Sequence, residues 1–306
     1  MHRLLDADAT AAVLPYAALA AEIERLLGDG SVRIPPRRVQ PLPGGASLFV
    51  MPAHDEHTAI VKLITFTPAN AGAARPAIQG DVVVFDIASG ERILLLDGPT
   101  VTARRTAAVS LLAAQRLAPQ PRGPLLVVGA GVQGRAHLEA FASGLGVAAV
   151  QIASRSVDGA QALARHARAL GLDAQIAHDA DAALADCPLV VTCTPARGVV
   201  LHGPPRRDAF IAAVGAFTPA MIELDGALCR QIARDGRIVV DTADAVHEAG
   251  DLLQAGLDVA PLATLADIVG DTRVPPGDVP VLFKSCGWAG WDLAAARLAR
   301  QAIDGR

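Results

Sequence analysis

One hexapeptide, Gly129-Ala130-Gly131-Val132-Gln133-Gly134, constrains this 306-residue chain more than any other stretch. It directly follows the apolar run Leu125–Val128 and opens a helical pattern over Val132–Ser143. Between a strand and a helix, the first glycine permits a tight turn and the second lets a pyrophosphate approach the backbone. The third lets the helix close on the strand, and the helix N-terminus offers free N–H groups to phosphate. A turn that only saved space would not need all three glycines in this register. Gly129, Gly131, Val132, Gln133 and Gly134 are therefore expected to bind a dinucleotide.

The chain after this loop keeps one rhythm. Apolar runs at Leu125–Val128, Ala149–Ala153, Ala174–Ala177, Leu189–Thr192, Ile211–Val214 and Ile238–Asp241 alternate with helical patterns such as Val157–Leu170 and Ala220–Ala233. Continuous apolar strands separated by helices predict a parallel sheet covered on both faces. The expected class is α/β, with a Rossmann doubly wound parallel sheet over 119–287. Upstream, Pro119-Gln120-Pro121-Arg122-Gly123-Pro124 reads as a linker. Residues 1–118 read as an α+β domain. A helix over Asp8–Leu27 is followed by strands at Ser47–Val50, Thr58–Phe66, Asp81–Ile87 and Arg92–Leu96, then by a helix over Thr102–Leu117. A last helix, Trp288–Ile303 within 288–306, is expected to return to this domain.

Composition narrows the function classes. A hydrophobic share of 52% supports a large core, and 3% aromatics favours helix-rich α/β packing over a β-sandwich. With a net charge of −4 and a pI near 6.0, the basic field needed for nucleic-acid binding is missing. Asp6 and Asp8 interrupt any signal-peptide core, and Pro15 and Glu22 interrupt any membrane span. Four cysteines without CxxC or zinc spacing suit a reducing compartment, so the chain reads as cytoplasmic with no membrane partner. His54-Asp55-Glu56-His57 reads as a polar turn rather than a metal site, and Cys286 as a buried thiol.

Cofactor choice is read at the end of the second strand of the nucleotide fold. An NAD site usually carries a carboxylate there for the ribose 2′-hydroxyl. Ser154-Arg155-Ser156 stands in that place instead. An arginine fork with two hydroxyls can hold a 2′-phosphate that a carboxylate would repel. NADP(H) is expected to be preferred, with NAD(H) possible.

Among 25 arginines the chain has two lysines, Lys62 and Lys284. Where arginine is used so freely, a lysine can mark a place that needs a compact ammonium. Lys62 lies inside the apolar run Ile60–Ile64; it is either a buried, partnered cation or an outward-facing residue of a half-exposed strand. Arg105, in Thr102-Ala103-Arg104-Arg105-Thr106 at the start of the long helix, is either a functional cation or an exposed helix arginine.

Taken together, these segments resemble the ornithine cyclodeaminase/μ-crystallin family over nearly the whole chain. The resemblance rests on the Pro35-Pro36-Arg37-Arg38 segment, Met51-Pro52-Ala53 followed by Lys62, and Thr102-x-x-Arg105-Thr106-Ala107-Ala108. Val128–Gln133, Val214-Gly215-Ala216, Glu223-Leu224 and Phe283–Gly287 with Asp292 complete it. It implies a substrate and dimerisation domain beside the Rossmann domain, and a homodimer. It places Arg38, Lys62 and Arg105 around the carboxylate of a small imino or amino acid. Thr192, Val214 and Ser285 join the expected cofactor positions.

Where ornithine cyclodeaminases carry an acid–base aspartate, this chain reads Val214-Gly215-Ala216-Phe217-Thr218-Pro219. A phenyl ring neither takes a proton nor pairs with an ammonium. With Cys286-Gly287-Trp288, the wording is closer to the Δ1-pyrroline-2-carboxylate reductases. The implied reaction is NADPH-dependent reduction of a cyclic ketimine acid to L-proline or L-pipecolate. Lys62 and Arg105 would orient the substrate, Phe217 would line its site, and Thr218 or water would supply the proton. Ornithine cyclodeamination, a non-catalytic μ-crystallin-like binding role and an amino-acid dehydrogenase are the competing readings.

Overall fold

Pro15 divides the first predicted helix, because it has no N–H to give and disfavours helical geometry at the residue before it. In the computed structural model, which describes residues 3–70, 75–195, 197–271 and 277–304, a short strand β1 (Arg3–Leu5) comes first. Helix α1 (Ala7–Ala12) starts on Asp6, whose carboxylate accepts from the Ala9 N–H, and α2 (Tyr16–Leu27) follows the proline. Then come β2 (Arg38–Pro41), β3 (Ser47–His54), β4 (Thr58–Phe66), β5 (Ile78–Asp86) and β6 (Arg92–Asp97). They form one sheet in the order β1-β6-β5-β4-β3-β2, antiparallel except where β1 joins β6. The alternation of β4 decides its faces: Ile60, Lys62 and Ile64 are buried, whereas Leu63 is 44% exposed.

Helix α3 (Gly98–Leu117) leads to the parallel sheet. Its elements are β7 (Leu125–Val128), α4 (Val132–Leu145), β8 (Ala149–Ala153), α5 (Val157–Ala169), β9 (Asp173–Ile176), α6 (Ala180–Asp186) and β10 (Leu189–Thr192). After β11 (Arg197–Leu201) come β12 (Phe210–Ala213), β13 (Ile222–Leu224), α7 (Gly226–Asp235), β14 (Arg237–Val240), α8 (Gly250–Gln254), β15 (Ala263–Thr264), α9 (Leu265–Gly270) and β16 (Val281–Lys284). Eight strands run parallel in the order β15-β14-β16-β12-β10-β7-β8-β9. The order reverses between β7 and β10, the switch point beside which open α/β sheets bind ligands.

A second sequence expectation changes here. The helix expected over Ala220–Ala233 is a strand followed by a helix. Ile222 and Leu224 pair with β11, and the Asp225 side chain caps α7 by accepting from the Ala227 N–H. A strand not expected from the sequence, β16, lies between β14 and β12.

The last helix, α10 (Ala289–Asp304), packs on α2, β3 and β4. The chain divides into two compact units, 1–105 with 288–306, and 106–287. This division falls inside α3, ahead of the proline-rich linker at 119–124. The later half of α3 belongs with the parallel sheet: Ser110 bonds His137 Nε2 at 3.0 Å and Leu111 lies against Gly144. No described helix is long and apolar enough to cross a membrane.

Candidate active site

In the first unit, β4 parity turns Lys62 to the covered face of the sheet, where α10 packs. Its ammonium lies 2.7 Å from Asp292 Oδ2, and Arg105 Nε lies 3.3 Å from Asp292 Oδ1. Lys62 is 1%, Arg105 7% and Asp292 0% exposed. Burial pulls the Lys62 pKa from 10.5 down to about 8; Asp292 opposes the fall, while Arg105 and Arg37 add to it. Two buried cations thus share one carboxylate. Asp292 was visible in the sequence only as a family position; its role as their shared partner comes from helix and strand packing.

Arg38 stands elsewhere. It pairs with Val50, which pairs with Leu63, so it shares the exposed face of the sheet and is itself exposed. Its neighbour Arg37 has the opposite parity and is the arginine whose field reaches Lys62. The structure therefore brings Arg37, Lys62 and Arg105 together and leaves Arg38 out.

In the second unit, Gly129 adopts φ +118°, and its amide donates to the Ala153 carbonyl at 2.9 Å. A side chain there would strike Cys193, and one on Gly134 would overlap the Gly129 carbonyl. Gly131, the residue before α4, faces open space in the Cβ direction. Two glycines thus close the turn, and the third leaves room for a ligand at a helix N-terminus. This cradle fits a pyrophosphate. Val132 is 71% exposed beside it.

Beyond β8, the Ser154 hydroxyl accepts from the Ser156 N–H, and the Ser156 hydroxyl caps α5 by accepting from the Gly159 N–H. Gly159 lies near Ala130 of the glycine loop. Arg155 is exposed at this corner. No carboxylate belongs to the Ser154–Ser156 segment.

The ends of β10, β12 and β16 are tied by buried acids. Thr192 donates to Glu223 Oε2 at 3.0 Å and Ser285 to Asp241 Oδ2 at 2.8 Å, so both expected cofactor hydroxyls point into the protein. The Val214 amide continues the sheet to the Thr192 carbonyl. Phe217, half-buried, packs on the apolar core of this unit, and the half-buried Thr218 follows it in the loop. Lys284 pairs with Asp251 at 2.9 Å, both fully buried. Asp251 and Asp241 carried no sequence signal. All four cysteines are free, and burial pushes the Cys187 and Cys229 thiols up to about 12 and Cys286 higher still. Among the described residues no group of three or more ligating side chains could hold a metal ion.

The model of the ornithine cyclodeaminase/mu-crystallin family matches residues 14–306. Delta(1)-pyrroline-2-carboxylate reductase 1 of Burkholderia multivorans is 40% identical, over 99% of this chain and 96% of its own. Delta(1)-pyrroline-2-carboxylate/Delta(1)-piperideine-2-carboxylate reductase of Azospirillum brasilense is 39% identical with the same coverage. The structure of Thermococcus litoralis Delta(1)-pyrroline-2-carboxylate reductase with NADH and L-proline shares the fold, with a TM-score of 0.90 at 24% identity over 99% of this chain and 98% of that one. Matched over 99% of its length by reductases and over residues 14–306 by the family model, the chain is an NAD(P)-dependent oxidoreductase and belongs to the ornithine cyclodeaminase/mu-crystallin family.

Proposed function

We propose that this protein reduces cyclic ketimine acids, Δ1-pyrroline-2-carboxylate and Δ1-piperideine-2-carboxylate, to L-proline and L-pipecolate, with NADPH preferred. One observation carries the reading: Lys62 and Arg105, both buried, share the carboxylate of Asp292, the one acid paired with either among the described residues. A buried excess of positive charge is costly, and the carboxylate of an imino acid would balance it. Both curated relatives described above are reductases of this substrate class.

In this reading Asp292 holds the two cations apart and oriented, and they fix the substrate carboxylate with Arg37. A dinucleotide held at the glycine loop would supply hydride for the C=N carbon. The ring nitrogen takes a proton from the Thr218 hydroxyl or from water, giving the secondary amine. Gly129–Gly134 would hold the pyrophosphate, and Ser154, Arg155 and Ser156 the 2′-phosphate. Phe217 has no proton to exchange, which disfavours ornithine cyclodeamination.

Loss of NADPH absorbance with each ketimine, run beside ammonia release from L-ornithine, tests the reaction. Ketimine turnover with background ammonia is expected, and comparable ammonia release would sink the assignment. Arg155→Ala should raise the KM for NADPH by about tenfold or more and leave that for NADH nearly unchanged, as loss of a charge-assisted contact predicts. An unaltered NADPH value would remove the cofactor preference.

The protein is also read as a cytoplasmic homodimer. Pro52, Val61, Val83 and Leu95 lie opposite one another across four strands on the less covered face of the first sheet, each partly exposed. A second copy would cover this apolar row. Light scattering that reports a monomer would refute it.

A further inference from the structure

We propose that Glu223 is a positioning residue that clasps the loops after β10 and β12 into one crest, against which the nicotinamide half of the dinucleotide would rest. The inference rests on the proposed function and assigns a task to the buried acids that the reaction itself does not use.

Glu223 is fully buried, and four donors converge on its carboxylate. Oε1 accepts from the Thr194 N–H at 2.7 Å and the Thr194 hydroxyl at 2.8 Å. Oε2 accepts from the Gly215 N–H at 2.6 Å and the Thr192 hydroxyl at 3.0 Å. Four acceptor positions is what an ionised carboxylate offers, and here all four are taken by the last residue of β10 and the loops after β10 and β12. Gly215 has to be small, because a side chain there would overlap the Glu223 carboxylate and the Thr194 carbonyl.

The support behind it is equally specific. Asp251 Oδ1 accepts from the N–H groups of Glu223 and Leu224, at 2.6 and 2.9 Å. Its other oxygen pairs with Lys284, whose ammonium also reaches the Ala213 carbonyl at the end of β12. The carboxylate of Glu223 is thus held at its backbone by Asp251 and at its tip by the loops.

The crest stands beside the glycine loop. The Cys193 N–H donates to the Val128 carbonyl at 2.9 Å, and its thiol to the Gly129 carbonyl at 3.3 Å. Dinucleotides lie across the switch point, with the adenine half over the β7–β8 side. The β10 and β12 loops therefore fall to the other half.

The test compares the whole cofactor with its adenine half. Fluorescence titration would give Kd for NADPH or NADH, whichever the wild type binds more tightly. Competition would give Kd for 2′,5′-ADP or ADP to match. In Glu223→Gln the amide nitrogen must face a backbone N–H, of Thr194 or of Gly215, whichever way it turns. The expected result is about a tenfold weaker dinucleotide with the adenine half unchanged within about twofold, the scale of one lost charge-assisted hydrogen bond. Thr194→Val removes one donor and leaves the backbone, so it should show the same split with a smaller loss. It decides the matter if Glu223→Gln does not fold. Unchanged dinucleotide binding, or equal loss of both ligands, overturns the proposal. A wild type that binds no dinucleotide overturns the functional reading along with it.

Discussion

Lys62 and Lys284 are both buried against an aspartate, yet their surroundings are opposite in sign. Around Lys62, Arg105 and Arg37 add positive charge, and the Asp292 carboxylate bridges Lys62 to Arg105. Around Lys284, two carboxylates, Asp251 and Glu223, face one ammonium, and their oxygens are taken up by the protein's own donors. Burial works against the charge of both lysines. It wins at Lys62, which falls to about 8, and loses at Lys284, which Asp251 and Glu223 raise above its ordinary value. Burial of a lysine therefore does not tell its task. The balance of its neighbours does: a surplus of cations calls for an anionic ligand, and a surplus of satisfied carboxylates makes a brace.

The largest effect expected from this contrast is on stability. Lys284→Met leaves two buried carboxylates without their ammonium and should cost about 3–5 kcal/mol in a urea titration. Lys62→Met leaves Asp292 with Arg105 and should cost clearly less. Equal losses would erase the distinction between brace and site.

On activity the order reverses. Lys62→Met should lower kcat/KM for the ketimine by about 10²–10³ with the dinucleotide Kd little changed, as loss of a preorganised charge predicts. Near wild-type efficiency would return Lys62 to a structural role.

A smaller, graded effect follows from pH. If the Lys62 ammonium holds the substrate carboxylate as proposed, kcat/KM should be level below about 8 and fall up to tenfold per unit above it. Stability should move the other way. The folded pKa lies below the unfolded one, so deprotonation between about 8 and 10.5 favours the folded state. Lys62→Arg should abolish the alkaline limb, and a limb that persists assigns it to another group.

The smallest effect separates two adjacent arginines. Arg37→Ala should raise the KM for the imino acid, whereas Arg38→Ala should change it less than about twofold, since Arg38 lies on the other sheet face. The reverse ranking would mean that strand parity has been misapplied.

Much of this was legible in the chain itself. Three glycines between an apolar strand and a helix specify their own backbone, so Gly129–Gly134 could be read locally, as could the absent ribose carboxylate at Ser154-Arg155-Ser156. Strand β4 announced itself by alternation, but the adjacent pair Arg37-Arg38 sits at a strand start where composition does not distinguish the faces. Register against β3 does.

What the sequence by itself determined is the set of local conformations and the residue types available: the turn at Gly129, the break at Pro15, two lysines among many arginines. What only the tertiary structure decided is partnership. Asp292 lies 230 positions from Lys62, and Asp251 lies 28 from Glu223 and 33 from Lys284. Local propensity reaches only a few residues, whereas the energy of a buried charge depends on everything within a few ångströms. That energy is set when strands and helices pack, so which charges surround each lysine became readable only in three dimensions.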